Sequence, residues 1–225
     1  MSAVRCHFVA SAGGVDLVDE IVVVDDGSSD RTPEIASRSG ARVVQSATGG
    51  GGKGEAMQVG VNSTSGEIVV FLDGDVDPFP AHFVPGLLGP LFVDEDVCMV
   101  KASYVRPLGG VPGEGGRVNE LVARPILSLL FPELAMIRQP LAGETAVLRT
   151  VLEKLRLAPA YGVETALLID VASLFGASSI AQVELGLRCH RNRPLSDLRP
   201  QATDVMRAAL ARRDPKFDRG QPGSW

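Results

Sequence analysis

The sequence predicts an α/β fold, with a mostly parallel, Rossmann-like sheet flanked by helices, and three observations carry that expectation. Short apolar runs of strand length alternate with longer helix-forming stretches, beginning with "EIVVVDD", "ARVVQ" and "GEIVVFLD". These runs are apolar at consecutive positions, the pattern of strands covered on both faces. Glycine- and aspartate-rich turns follow them, where βα units place their loops. With 225 residues, 45% of them hydrophobic, the chain can bury one core. We expect a single domain over residues 1–213 and a flexible tail over 214–225.

Each element has a local reason. Ile21 to Val24 is a buried strand, followed by a turn in which Ser29 or Asp30 caps a helix beginning near Thr32 and Pro33. "ARVVQ" is the second strand, and "ATGGGGKGEAMQVGVN" is a glycine-rich loop running into a helix. After the third strand, "GEIVVFLD", a helix follows Pro80 and "VCMVKASYVR" forms another strand. Residues 107–116 read as a surface loop, and "RVNELVARPILSLLF" as a helix kinked at Pro125. "GETAVLR" adds a strand or a turn, and "GVETALLIDVASLFG" is a helix closed by Gly176. "IAQVELGLRCHRNRP" is a late strand and "DVMRAALARR" a last helix.

Composition narrows the function classes. A net charge of −5 gives no electrostatic footprint for nucleic acid, and no basic block suits an anionic membrane. Anionic ligands therefore need a local cluster of Arg or Lys. The three cysteines lie far apart and form no CxxC pair, the pattern of reduced thiols. No apolar run approaches the roughly 18–20 residues of a membrane span, and the apolar core of the opening residues is too short for a secretory signal. A cytoplasmic protein is the expectation.

The chemistry concentrates in a few stretches. In "VVFLDGDVDP", Asp73, Asp75 and Asp77 recur at every second position, so extended backbone would crowd like charges on one face. A divalent cation bridging carboxylate to a diphosphate relieves that crowding, whereas turn-forming aspartates are the plainer alternative. An EF-hand is excluded, because Pro78 stands where its loop needs Gly and Val84 where it needs Glu. Around Lys53, Gly54 stands where a Walker A loop needs Ser or Thr. Gly49, Gly51 and Gly54 satisfy G-x-G-x-x-G, but a run of four glycines makes that match cheap. Arg117 follows glycines at a helix start, where free N–H groups and a guanidinium suit an anion; an ordinary exposed Arg is the alternative. Tyr161 and Glu164, three apart, share a helix face, as ordinary first-turn residues also do. Arg188, His190 and Asn192 alternate along an extended segment and share a face, which makes His190 a better ligand candidate than a lone histidine.

These stretches, with "GGRVNELVARP", "QPLAGE" and "YGVE" in the same order, resemble the retaining GT-A glycosyltransferases, and among them the glucosyl-3-phosphoglycerate synthase family. The resemblance runs from about Val18 to about Leu210. It implies a GT-A fold and metal-dependent transfer of glucose from UDP-glucose to 3-phosphoglycerate, with Mg²⁺ or Mn²⁺ as cofactor, in a homodimer. Residue by residue, it assigns Asp75 and His190 to the metal and Asp26, Lys53, Asp73 and Gly74 to the nucleotide. Tyr161, Glu164 and Arg188 fall around the donor sugar, with Glu164 nearest to a catalytic role. Gly116, Arg117, Asn119 and Asn192 form the acceptor cradle. The sequence departs from the family at its start, where the first strand and its uridine-wrapping segment have no counterpart, so a central sheet position is expected to stand open. A weakly active or non-catalytic relative is the alternative reading, whereas a nucleotidyltransferase would need a signature glycine-arginine loop at the first strand, which this sequence does not show.

Overall fold

In this computed structural model the described residues are 16–46, 49–74, 76, 79–107, 115–188, 194–214 and 216. The β-branched run Val22–Asp25 forms β1, and Thr32–Arg38 forms α1. Asp30 starts that helix, accepting the Thr32 N–H at 2.9 Å. Arg42–Gln45 (β2) lies parallel to β1, with Val23 opposite Val43. Helix α2, Lys53–Ser63, returns the chain to β3, Ile68–Phe71. Then come α3 (Phe83–Val93) and β4 (Met99–Val105).

The segment expected to kink at Pro125 changes helix type just before that residue. Proline has no N–H to offer Leu121 four residues earlier, and the chain before it widens into a π-helical turn over Asn119–Ala123. Arg124 N–H reaches back to the Asn119 carbonyl, and the regular helix α4 runs Arg124–Leu130. "GETAVLR" resolves into β5, Thr145–Leu148, with the short helix α5 at Arg149–Leu152. Helix α6, Val163–Phe175, has a nearly continuous buried stretch and ends at Gly176 with φ +87°, as expected of a glycine stop. The late strand β6 spans Ile180–Leu187, and α7 spans Leu195–Arg213, nine residues longer at its start than "DVMRAALARR". Of the expected tail, Asp214 and Lys216 are described.

The sheet is mixed. β3, β5, β4 and β6 form one sheet in that order, and β5 runs antiparallel to both of its neighbours while β4 and β6 are parallel. Apolar runs signal burial on both faces but not direction, so the sequence pattern did not distinguish β5 from a parallel strand. One core packs Phe83, Leu87, Val100 and Tyr104 against one face; the other packs Met99, Val147, Leu168 and Ile169 against the opposite face.

The pair β1–β2 stands apart from the four-stranded sheet. Between β1 and β3 lies a cleft of about 750 Å³, lined by Val22, Val24, Val69, Phe71, Met57 and Leu88. The two strands run the same way. Ser65, just before β3, donates its N–H to Glu20, just before β1, and Lys53 joins the end of β3 to a loop held by Asp26 at the end of β1. A four-residue strand about 4.8 Å from each neighbour, in a layer about 10 Å thick, would occupy on the order of 600 Å³. Among the described residues no strand lies in this cleft.

Candidate functional site

The strands bring their polar residues to one end. At the end of β1, Asp25 accepts the Ser28 N–H at 3.0 Å and shapes the turn. Asp26 closes the glycine-rich loop: one carboxylate oxygen accepts the N–H of Gly50 at 2.9 Å and of Gly51 at 3.2 Å, and the other that of Gly52 at 3.0 Å. Partial burial pushes the Asp26 carboxyl up, but these N–H groups hold it below the ordinary carboxylate value. The loop can wrap a single carboxylate because Gly50 and Gly52 take φ of +123° and +82°. Asp26, assigned to the nucleotide by resemblance, is thus the clasp of the loop that presents Lys53.

Lys53 opens α2 and sits between two carboxylates, 2.6 Å from Asp73 Oδ1 and 2.5 Å from Glu164 Oε1. Asp73, just past β3, gives its second oxygen to Arg188 Nη2 at 2.9 Å. Burial opposes charge on both Lys53 and Asp73. Their partners outweigh it, holding the Lys53 ammonium well above and the Asp73 carboxyl well below their ordinary ranges. Asp73 lies against Gly143, where a Cβ would overlap its carboxylate. Glu164, 7% exposed, stands in the first turn of α6. Tyr161 is 38% exposed in the 3₁₀ turn Ala160–Gly162 just before that helix, so the two are close in the chain without sharing a regular helix.

Arg188 follows β6 directly and is 4% exposed. Its Nε faces Glu144 Oε1 at 3.0 Å, and Tyr104 donates its hydroxyl to Glu144 Oε2 at 2.7 Å. Arg106 Nη2 donates to the Tyr104 hydroxyl at 2.7 Å. Burial raises the Tyr104 phenol well above its ordinary value, so this hydroxyl stays protonated. Beneath the site Lys101 is fully buried, donating to the Ala142 carbonyl at 2.5 Å and to Thr145 Oγ1 at 3.0 Å; burial pushes its ammonium down to about 8.

Of the residues expected in the acceptor cradle, Gly116 is a turn residue with φ +75° and Arg117 is half-buried at the following helical turn. Asn119 is 1% exposed; it donates to the Arg138 carbonyl and to Glu120, and accepts the Leu141 N–H at 3.3 Å. That side chain ties the π-helical turn to the segment before β5. Gly74 is described next to Asp73, whereas Asp75, His190 and Asn192 lie outside the described residues. Among the described residues no group of three His, Cys, Asp or Glu side chains is placed to hold a metal.

The structure therefore gathers Lys53, Asp73, Glu164 and Arg188 at the ends of β3 and β6 and the starts of α2 and α6. It adds Glu144, Tyr104, Arg106 and Lys101, none of which carries a sequence-based assignment. Alternation along "KASYVR" put Tyr104 and Arg106 on one face, and "QPLAGE" carried Glu144, but neither signal names a partner.

Comparison with known proteins agrees with this layout. The family model described as Glycosyl transferase family 2 matches residues 10–128. A glucosyl-3-phosphoglycerate synthase of Mycobacterium tuberculosis is 48% identical over 210 residues, which cover 87% of this chain and 64% of that protein. The chain thus spans 64% of the length of that relative. A crystal structure of that enzyme from M. tuberculosis in complex with Mn²⁺, UDP-glucose and phosphoglyceric acid superposes with a TM-score of 0.86 at 42% identity, covering 99% of this chain and 79% of that one. Another, in complex with Mg²⁺ and UDP, gives a TM-score of 0.86 at 44% identity over 94% of this chain and 75% of that one.

Proposed function

The chain belongs to glycosyl transferase family 2, and from that premise we propose that it transfers glucose from UDP-glucose to 3-phosphoglycerate, with retention, giving glucosyl-3-phosphoglycerate. Its fold is of the GT-A type, a mixed α/β layer with helices on both faces. The observation that carries the proposal is the continuous chain Glu164–Lys53–Asp73–Arg188, which joins two strand ends and two helix starts on one side of the sheet. Ligands of open α/β sheets bind beyond such strand ends. The solved relatives that match this fold carry UDP-glucose, UDP and phosphoglyceric acid.

The roles follow from chemistry. Lys53 and Arg188 are cations held in place by carboxylates, ready to face a nucleoside diphosphate without paying to reorganise. Asp26 keeps the glycine loop closed behind Lys53. Glu164, held against Lys53, is the carboxylate placed to orient the donor sugar or stabilise positive charge at its anomeric carbon. Gly116, Arg117 and Asn192 would receive the acceptor's phosphate and carboxylate, for which guanidinium and free N–H groups suit an otherwise acidic protein.

The metal is consistent with the residues. Both oxygens of Asp73 are engaged by Lys53 and Arg188, so Asp73 is not the ligand. Two residues beyond each end of that Asp73–Arg188 bridge the sequence has Asp75 and His190, a carboxylate and an imidazole suited to Mg²⁺ or Mn²⁺. Bound there, the cation would act as a Lewis acid that neutralises the leaving diphosphate.

We read the protein as a cytoplasmic homodimer. No described helix is long and apolar enough to cross a membrane, and Leu121, Leu129 and Met136 expose apolar surface around α4 that suits a second copy. Incubation of the purified chain with UDP-glucose, 3-phosphoglycerate and Mg²⁺ tests the activity: release of UDP supports it. No release, with no calorimetric binding of UDP and metal, favours a non-catalytic relative. Asp75→Ala and His190→Ala should each abolish metal-dependent release, and full activity in both would refute the metal assignment.

A further inference from the structure

The network does not end at Arg188. Glu144 is 0% exposed and Tyr104 2%, and a carboxylate this deep is tolerated only when it is paired. Glu144 Oε1 lies 3.0 Å from Arg188 Nε as an ion pair without hydrogen-bond geometry, and Asp73 accepts from Nη2 at 2.9 Å. A guanidinium between two carboxylates is confined by charge on both sides; with one of them neutral, it swings toward the other. Behind Glu144, the Tyr104 ring lies between two cations, with Arg188 5.4 Å and Arg106 4.9 Å from its centroid. Arg106 then leads to another part of the site. Its carbonyl accepts the Gly115 N–H at 2.9 Å, and a Cβ on Gly116 would come within 3.4 Å of its Cδ.

We propose that Glu144 is a positioning residue, which orients Arg188 toward Asp73 and, through Tyr104 and Arg106, couples that orientation to the Gly115–Gly116 turn ahead of Arg117. The coupling rests on the reading of the previous section for what the turn and Arg188 bind; the orienting contact itself does not. Glu144→Gln keeps the volume and loses the charge that opposes Arg188. Tyr104→Phe keeps the ring and removes the hydroxyl that joins Glu144 to Arg106.

The test has two arms. In the first, rotation of the Arg188 guanidinium about its Nε–Cζ bond is followed by nitrogen-edited NMR on the protein without ligands. It should be slow in the wild type and faster in Glu144→Gln; an unchanged rate overturns the orienting role whatever the enzyme does. In the second, steady-state kinetics are measured with both substrates. Glu144→Gln should lower kcat by about 10–100-fold, the effect of losing one buried opposing charge, with a much smaller change in the KM for UDP-glucose. Tyr104→Phe should raise the KM for 3-phosphoglycerate severalfold, and the double variant should be less impaired than the product of the two effects. A merely structural role lowers the folded fraction and leaves both KM values in place, and that result, or independent effects in the double variant, overturns the coupling. If Glu144→Gln does not fold, Tyr104→Phe carries the coupling test and Glu144→Asp, whose shorter side chain retracts from Nε, carries the NMR test. A wild type that turns over neither substrate defeats the proposed function and leaves the NMR arm decisive for the contact.

Discussion

Arg188, at the end of β6, donates to Asp73, at the end of β3, across 2.9 Å and 115 positions of sequence. These two strands lie at opposite edges of the four-stranded sheet order, so the contact spans the mouth of the sheet. It also holds Asp73 in the one place where Lys53 can take its other oxygen.

Replacing Asp73 by Asn should therefore unsettle both cations. Two charge-assisted bonds are weakened in a half-buried setting, and we expect a loss of stability of about 1–3 kcal/mol with UDP affinity reduced at least tenfold. Urea unfolding and calorimetry measure the two effects. A variant with wild-type stability and affinity would show that the pair is incidental.

Gly143→Ala should reproduce the effect of losing the Asp73 charge. A methyl at this position would overlap the Asp73 carboxylate and push it off Lys53 and Arg188, so the expected result is a stability loss of about 1–3 kcal/mol with poor UDP binding. Gly54→Ala differs in cause, because its methyl would meet the Ala158 backbone, and overpacking of this kind costs about 1–3 kcal/mol. Combining each with Asp73→Asn separates them: the Gly143→Ala loss should largely vanish in that background and the Gly54→Ala loss should persist, whereas additive losses in both would show that Gly143 does not act through Asp73.

The pH dependence has a workable sign. The Asp73 carboxyl is held low, so its contribution to stability is complete above the unfolded-state carboxylate pKa and is lost as pH falls below it. Lys101 acts on the alkaline side. Its folded pKa of about 8 lies below the unfolded value of 10.5, so the native state binds fewer protons between these limits and stability from this group rises with pH across them. The full rise is on the order of 3 kcal/mol. Lys101→Met should abolish that rise in urea titrations between pH 8 and 10, whereas an unchanged slope would assign it elsewhere.

The cleft between β1 and β3 makes a prediction about backbone exchange. Amides of β3 directed toward β5 are in a ladder, while those directed toward the cleft have no ladder partner among the described residues. Hydrogen exchange along Ile68–Phe71 should alternate between slow and fast. Uniform protection would mean that another strand occupies the edge, and fast exchange throughout would mean that β3 is not held by β5.

Much of this was legible in the sequence because burial and turn chemistry leave local marks. The consecutive valines of β1 and β3, the glycine stop after α6 and the polar residues at the strand ends all read directly. Strand direction did not, since β5 looks like any other buried strand. Of the residues that the resemblance assigns to binding, Lys53, Asp73, Glu164 and Arg188 lie in one ion-paired group. Glu144, Tyr104 and Lys101 were invisible because a buried polar residue is meaningful only through partners distant in the chain.

The central claim is tested most directly by NMR observation of the anomeric proton of the product formed from UDP-glucose and 3-phosphoglycerate with Mg²⁺. The account predicts a glucosyl-3-phosphoglycerate signal with the same anomeric configuration as the donor, absent without the metal and absent in Glu164→Ala. A product of inverted configuration, or free glucose formed equally well without 3-phosphoglycerate, would contradict it.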